Sequence, residues 1–281
     1  MLTVSDHRRD RAGLTHVYPV VSRRSGGLSI GINLNPNNAC NWRCIYCQVP
    51  DLQRGTAPET DLVLLRRELE QVLTDILTGE FHTRFGVPPE HRRIRDIAIS
   101  GNGEATTAKA FPQVVALIGE CCRKFGLAGL CKLVLISNGS RVRDDRVREG
   151  LRQWEGLGGE LWFKLDSATA AGIERINGVR LSPASVMANL EIAAALCPVW
   201  LQTCVFALDG QAPERAEQTA YLEFLEQALR RGVRLQGVLL YGLARPSRQP
   251  EAERLAALPA EWLETFAGEI GRLGLAVRIN P

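Results

Sequence analysis

Short apolar runs alternate with longer amphipathic stretches along the whole chain. LSIGINL (28–34) reads as a first strand, and Ile94–Ser100, Lys132–Ser137, Leu161–Asp166, Val199–Leu208 and Leu235–Tyr241 read as five more. Helical periodicity fills the gaps: about Glu59–Thr78, Ala108–Phe125, Asp144–Trp154, stretches within 169–196, Pro213–Arg231 and segments across 251–273. Leu275–Ile279 reads as a closing strand. Strands separated by helices imply βαβ units and a parallel sheet. Six such units with no Gly/Ser-rich or Pro-rich linker between them predict an α/β single domain, a partial (β/α)6 TIM-like barrel over 27–281, with an N-terminal extension over 1–26.

Polar and glycine-rich residues sit just after successive strands, at Asn35–Asn38, Gly101–Glu104, Asn138–Ser140, Asp166–Ser167, Asp209–Gly210 and Gly242–Ser247. Barrels and open α/β sheets bind ligands beyond the carboxyl ends of their strands. Any one such loop is polar because it turns in water. Six together, one of them carrying three cysteines, point to a shared pocket.

Composition narrows the picture only slightly. The chain has 281 residues, 45% hydrophobic and 23% charged, with a formal net charge of +3, which excludes a disordered or strongly nucleic-acid-like composition. No apolar run approaches membrane length and no secretory leader is visible, so a cytoplasmic location without membrane attachment is expected. Only four of the 34 basic residues are lysines, which makes each lysine informative. Of eight cysteines, clustered ones in such a compartment favour metal or redox use over disulfides.

The cluster is CNWRCIYC, which places Cys40, Cys44 and Cys47 in a C-x3-C-x2-C spacing. Soft thiolates suit zinc or an iron–sulfur cluster. Structural zinc takes four ligands, and no histidine stands at local zinc-finger spacing. Iron–sulfur clusters are usually held by four cysteines. Three cysteines on a cubane leave one iron open to a substrate or cofactor.

This motif, in the loop after the first strand, resembles the signature of the radical S-adenosylmethionine superfamily. The resemblance implies a [4Fe-4S] cluster on Cys40, Cys44 and Cys47. Its open iron would bind S-adenosyl-L-methionine and cleave it reductively to a 5′-deoxyadenosyl radical that abstracts hydrogen. It places Tyr46 against the adenine. It also maps SGNGEAT onto the family's glycine–glutamate motif, so that Gly101, Gly103 and Glu104 hold the methionyl amino group. ISNGS is similar to the Thr-Asn-Gly turn of such enzymes, and puts Ser137 and Asn138 at the ribose or carboxylate. LDSAT followed by INGV resembles the same core. An external one-electron donor such as flavodoxin or ferredoxin is implied, because no flavin motif is visible.

By strand alternation Lys164 and Asp166 share one face and Phe163 and Leu165 the other. A cation and a carboxylate inside a barrel are either a buried ion pair or catalytic contacts, with Schiff-base chemistry conceivable at Lys164. Arg245 is the most phosphate-like candidate. Gln202, Thr203, Tyr241 and Ser247 are further substrate candidates. VVSRRSGGLSIGINLNPNNACNWRCIYCQVP is similar to the branch of the superfamily related to wyosine-tRNA synthase, and implies an RNA substrate as one reading. The chain departs from that branch in having no cysteine before Cys40. A radical enzyme acting on a peptide or small metabolite is a second reading. A non-catalytic electron-transfer or zinc module is a third. Cys121, Cys131 and Cys204 could in principle hold a second cluster, against the reading that they are core residues. The basic stretches Arg8–Arg11 and 82–96 read as solvated loops or as an RNA contact.

Overall fold

The computed structural model describes residues 13–22 and 26–280. Eight strands form one sheet in the order of the sequence: β1 (Val17–Ser22), β2 (Gly27–Ile32), β3 (Ile94–Ile99), β4 (Lys132–Ser137), β5 (Gly159–Lys164), β6 (Val199–Cys204), β7 (Leu235–Tyr241) and β8 (Val277–Asn280). β1 runs antiparallel to β2, and every later neighbour is parallel. The two end strands do not pair, so the curled sheet is an open half-barrel, as the strand–helix alternation predicted.

Helices α1 (Leu62–Thr78), α2 (Glu80–Phe85), α3 (Phe111–Lys124), α4 (Asp145–Gly156), α5 (Ala170–Asn177), α6 (Pro183–Ala194), α7 (Arg215–Arg230) and α8 (Ala260–Gly271) fill the connections. Strand residues such as Ile30, Ile97, Leu135, Leu161, Phe163, Leu201 and Leu240 belong to the same buried core as the apolar faces of the helices. Their alternates, among them Ala98, Ile136, Trp162, Lys164, Gln202 and Leu239, line the concave side.

Local chemistry sets the boundaries. Asp61 caps α1 by accepting from the backbone N–H groups of Val63 and Leu64, so the helix begins later than periodicity alone suggests. The helical stretch 169–196 is two helices. Gly178, left-handed at φ 62°, ends the first, and the Ser182 cap with Pro183 starts the second. The run read as one strand to Leu208 ends at Cys204, and Ala207–Leu208 instead form a short antiparallel ladder with Leu255–Ala256.

The N-terminal stretch differs most from expectation. The expected boundary between 26 and 27 falls inside the β1–β2 hairpin. Pro19 sits within β1, which an edge strand tolerates because it needs no donor on its outer side. Buried Glu68 of α1 accepts from the backbone N–H groups of Thr15, His16 and Val17 at 2.8, 2.7 and 3.1 Å, which fastens this segment to the helical layer. The basic run Arg8–Arg11 lies outside the described residues. The stretch 82–96, read as a loop, contains the end of α2, whose Phe81 is buried. No helix among the described residues is long and apolar enough to cross a membrane.

Candidate functional site

The parallel strands deliver their carboxyl ends to one rim, and the concave side forms a cleft of 2260 Å³. The cysteine loop enters it directly from β2. Ala39–Cys40 pair in parallel with Gln53–Arg54, closing the base of the loop. Its centre is held from two sides. Arg43 and Ile45 donate their backbone N–H groups to Asn177 and Ile176 at the end of α5. After β7, the Ser247 hydroxyl donates to the Ile45 carbonyl at 2.7 Å, and Gln249 Nε2 donates to the Val49 carbonyl at 2.9 Å. Ser247, a candidate substrate contact, is therefore a clamp on the loop.

Cys40, Cys44 and Cys47 all line the cleft. The Trp42 backbone N–H donates to Cys40 Sγ at 3.4 Å and Asn177 Nδ2 donates to Cys44 Sγ at 3.3 Å, both of which favour thiolates. Burial pushes the free Cys40 thiol up to about 11 and the Cys44 thiol up to about 12, the latter despite nearby Lys164. Such thiols stay protonated until a cationic centre replaces the proton. Among the described residues no three His, Cys, Asp or Glu side chains close on a single ion. A cubane does not require that, since it takes its thiolates on separate irons.

Asp166 joins the pieces. It sits just past β5 and accepts from Tyr46 Oη at 2.6 Å, Asn177 Nδ2 at 2.7 Å and the Cys204 backbone N–H at 3.0 Å. Lys164 Nζ lies 4.0 Å from the same carboxylate, 3.1 Å from Tyr241 Oη and 5.0 Å from the centre of the Tyr46 ring. Burial would lower the lysine, but the acidic groups around it, Asp166 foremost with Tyr241, Cys44 and Cys204, together outweigh that and keep the ammonium charged. Lys164 faces the cleft as alternation predicted, whereas the Asp166 side chain is fully enclosed. Tyr46 lines the cleft with its ring fixed against Phe206, the centroids 5.6 Å apart.

The Gly101–Glu104 turn after β3 packs on the base of the cysteine loop. A Cβ on Gly103 would lie 2.0 Å from the Ala39 carbonyl oxygen, and one on Gly101 would lie 2.3 Å from Asn33 Oδ1, so only glycine allows this approach. Glu104 is buried. It accepts from Ser137 Oγ at 2.7 Å, the Asn138 backbone N–H at 2.7 Å and the Thr106 backbone N–H at 3.1 Å. Asn138 Nδ2 continues to Asn41 Oδ1 at 2.9 Å. Asn35 Oδ1, beside Gly103, is buried with no donor among the described residues. The turns after β3 and β4 and the cysteine loop thus form one network, while Arg245 lines the cleft from the loop after β7.

Other candidates fall elsewhere. Thr203 Oγ1 is 2.6 Å from Tyr221 Oη of α7, on the helical side. Cys121 and Cys122 are buried in α3. Cys131 stands just before β4 and hydrogen-bonds with Cys122, at the opposite end of the parallel sheet from Cys204. Cys131 and Cys204, at opposite ends of the parallel strands, do not share one ligand set. Sequence reasoning missed the clamp residue Gln249 and the roles of Asn41 and Asn177. INGV, noted only as part of a resemblance, contained the signal for Asn177.

No family model matches the chain. Over 168 residues it is 27% identical to the UPF0026 protein of Helicobacter pylori strain J99, a match that covers 57% of this chain and 44% of that relative. The chain therefore aligns with less than half the length of the curated relative. Solved structures share the fold over most of the chain. A radical SAM methyltransferase from Sphaerobacter thermophilus superposes with a TM-score of 0.59 at 11% identity, covering 94% of this chain and 68% of that one. TYW1 with a lysine-pyruvate adduct bound gives 0.55 at 16% identity, covering 87% and 73%. HydG, a maturase of the [FeFe]-hydrogenase, gives 0.55 at 13% identity, covering 87% and 48%. The fold is the half-barrel that these solved structures share. The chain combines that half-barrel with a C-x3-C-x2-C loop directly after its first parallel strand.

Proposed function

We propose that the chain is a radical S-adenosyl-L-methionine enzyme, with a [4Fe-4S] cluster on Cys40, Cys44 and Cys47 and the cofactor in the adjoining cleft. The observation that carries this reading is the cysteine loop itself. Three thiols line the cleft at the carboxyl-end rim of the half-barrel, with N–H donors on two of the sulfurs. The donor set fits the group, because soft sulfur ligands on a pinned loop are what a cluster requires. When bound, the pair supplies a 5′-deoxyadenosyl radical that takes a hydrogen atom from the substrate.

The protein's own work is placement and exclusion of water. Gly101 and Gly103 let backbone approach the cofactor closely. Glu104 Oε2 accepts from the Asn138 N–H and keeps capacity for the amino group of the methionyl moiety. Ser137 and Asn138 hold that carboxylate in line and offer polar atoms to the ribose or carboxylate. Tyr46 presents its ring to the adenine. Lys164 and Arg245 supply positive charge to the substrate side, and Asp166 acts as a positioning residue that holds Tyr46, Asn177 and Lys164. A one-electron donor such as flavodoxin or ferredoxin completes the system, and a reducing cytoplasm suits it. Five arginines and two lysines line the cleft against Asp96 and Glu104, which supports an anionic substrate such as a nucleotide of tRNA.

The test is anaerobic reconstitution with iron and sulfide, then dithionite and S-adenosyl-L-methionine, with chromatography for 5′-deoxyadenosine and methionine. The reading expects both products from the parent and neither from Cys44→Ala. One zinc and no iron in the purified and reconstituted protein would overturn it.

A further inference from the structure

One row of side chains crosses the cleft wall, and beyond Lys164 its members take no part in holding the cluster loop. Register aligns Lys164 with Gln202, Gln202 with Leu239, and Leu239 with Arg278, so the four cross strands β5 to β8 side by side. All four line the cleft. Gln202 is 3% exposed, yet its carboxamide has no hydrogen-bond partner among the described residues. An amide offers two donors and an acceptor, and here they border the cleft. A group that arrives with the substrate would satisfy them.

Arg278 shows the same incompleteness in charge. Its guanidinium lies 4.2 Å from the centre of the Trp200 ring and has no carboxylate partner among the described residues. A cation over an indole face is held there by the ring quadrupole and keeps N–H donors for an anion. The stack is built in: a Cβ on Gly237 would meet the Trp200 ring at 2.7 Å and the Ala276 carbonyl at 2.3 Å, so the indole uses space that only glycine leaves. Trp162, the register neighbour of Trp200, faces the cleft, and its Nε1 donates to Glu160 Oε1 at 2.9 Å, which fixes the ring.

Gln202 and Arg278 are two strand spacings apart, about 10 Å. That span holds an amide able to read a donor–acceptor edge and a guanidinium over an indole, and Trp162, one strand beyond Gln202, adds an indole able to flank a planar ring. The surplus of positive lining charge favours a phosphate dianion over a carboxylate. We propose that Gln202, Trp162 and Arg278 form a nucleotide subsite, with Gln202 on the base edge, Trp162 against the base and Arg278 on the phosphate. The inference rests on reading the cleft as an active site, and it names how that site recognises its substrate. The base and its phosphate could belong to a free nucleotide or to a residue of an RNA strand.

The experiment is equilibrium binding to the reconstituted protein without reductant, read by calorimetry. The probes are the four nucleoside 5′-monophosphates, their nucleosides, inorganic phosphate and a short single-stranded RNA. At least one monophosphate or the RNA should bind, with nucleosides and phosphate about tenfold weaker. Arg278→Leu should weaken phosphorylated probes about tenfold and leave nucleosides unchanged, with Arg278→Lys between parent and Leu. Gln202→Met should weaken the base-bearing probes about tenfold and leave inorganic phosphate unchanged. Tighter RNA than monophosphate identifies a strand as the source, and the reverse identifies a free nucleotide. Absence of binding by every probe, or equal binding by parent and variants, overturns the proposal. The readout is independent of cofactor cleavage, so nucleotide binding without 5′-deoxyadenosine formation would fail the enzyme reading alone.

Discussion

Asp166 carries more of the site than any other single side chain, since it holds Tyr46, Asn177 and the Cys204 N–H while facing Lys164. Asp166→Asn would leave the ammonium of Lys164, whose side chain is 17% exposed, without its counter-charge. Removing one partner of such a pair costs about 3 kcal/mol. The expected outcome is a melting temperature lower by roughly 6–12 °C in scanning calorimetry of the apoprotein. An unchanged melt would mean the pair is solvated. Gly103→Ala tests the close approach of the glycine turn. The added methyl meets the Ala39 carbonyl at 2.0 Å, so the base of the cysteine loop must move. Iron incorporation should fall while far-ultraviolet circular dichroism stays the same, and full iron content in this variant would contradict the packing described. At this scale the sequence showed the cysteines, the glycines and the shared face of Lys164 and Asp166, because spacing and alternation are local. It did not show that Asp166 is enclosed or that Ser247 clamps the loop, because both depend on elements distant in sequence meeting at one place.

The N-terminal hairpin is the element whose role was least visible. β1 has the apolar string Val17–Val21 but is interrupted by Pro19, and it pairs antiparallel where every other neighbour is parallel. Its attachment depends on one carboxylate from α1. Glu68→Ala would strand three backbone N–H groups, of which those of His16 and Val17 belong to buried residues. A loss of about 3 kcal/mol follows from unmade buried hydrogen bonds. Hydrogen exchange should show the amides of 15–21 losing protection first, before the core strands. Uniform destabilisation without that local signature would contradict the anchoring role. Most other elements were legible because their apolar periods are strong, as in α1 and α3. The split of 169–196 at Gly178 and the end of β6 at Cys204 are local interruptions that periodicity averages over.

For the molecule as a whole, an open half-barrel places its loops at one rim and its alternating inward residues on one wall. The excess of basic side chains over Asp96 and Glu104 on that wall predicts a positive field focused in the cleft. Binding of phosphorylated ligands should therefore weaken as salt rises, with nucleosides much less affected. Salt-independent binding would count against an electrostatic contribution. The central claim is that three cysteines hold a cluster with one iron open to the cofactor. Electron paramagnetic resonance of the dithionite-reduced, reconstituted protein, recorded with and without S-adenosyl-L-methionine, tests it most directly. The account predicts a reduced [4Fe-4S] signal whose g-values shift when the cofactor is added. A cluster signal indifferent to the cofactor would contradict it.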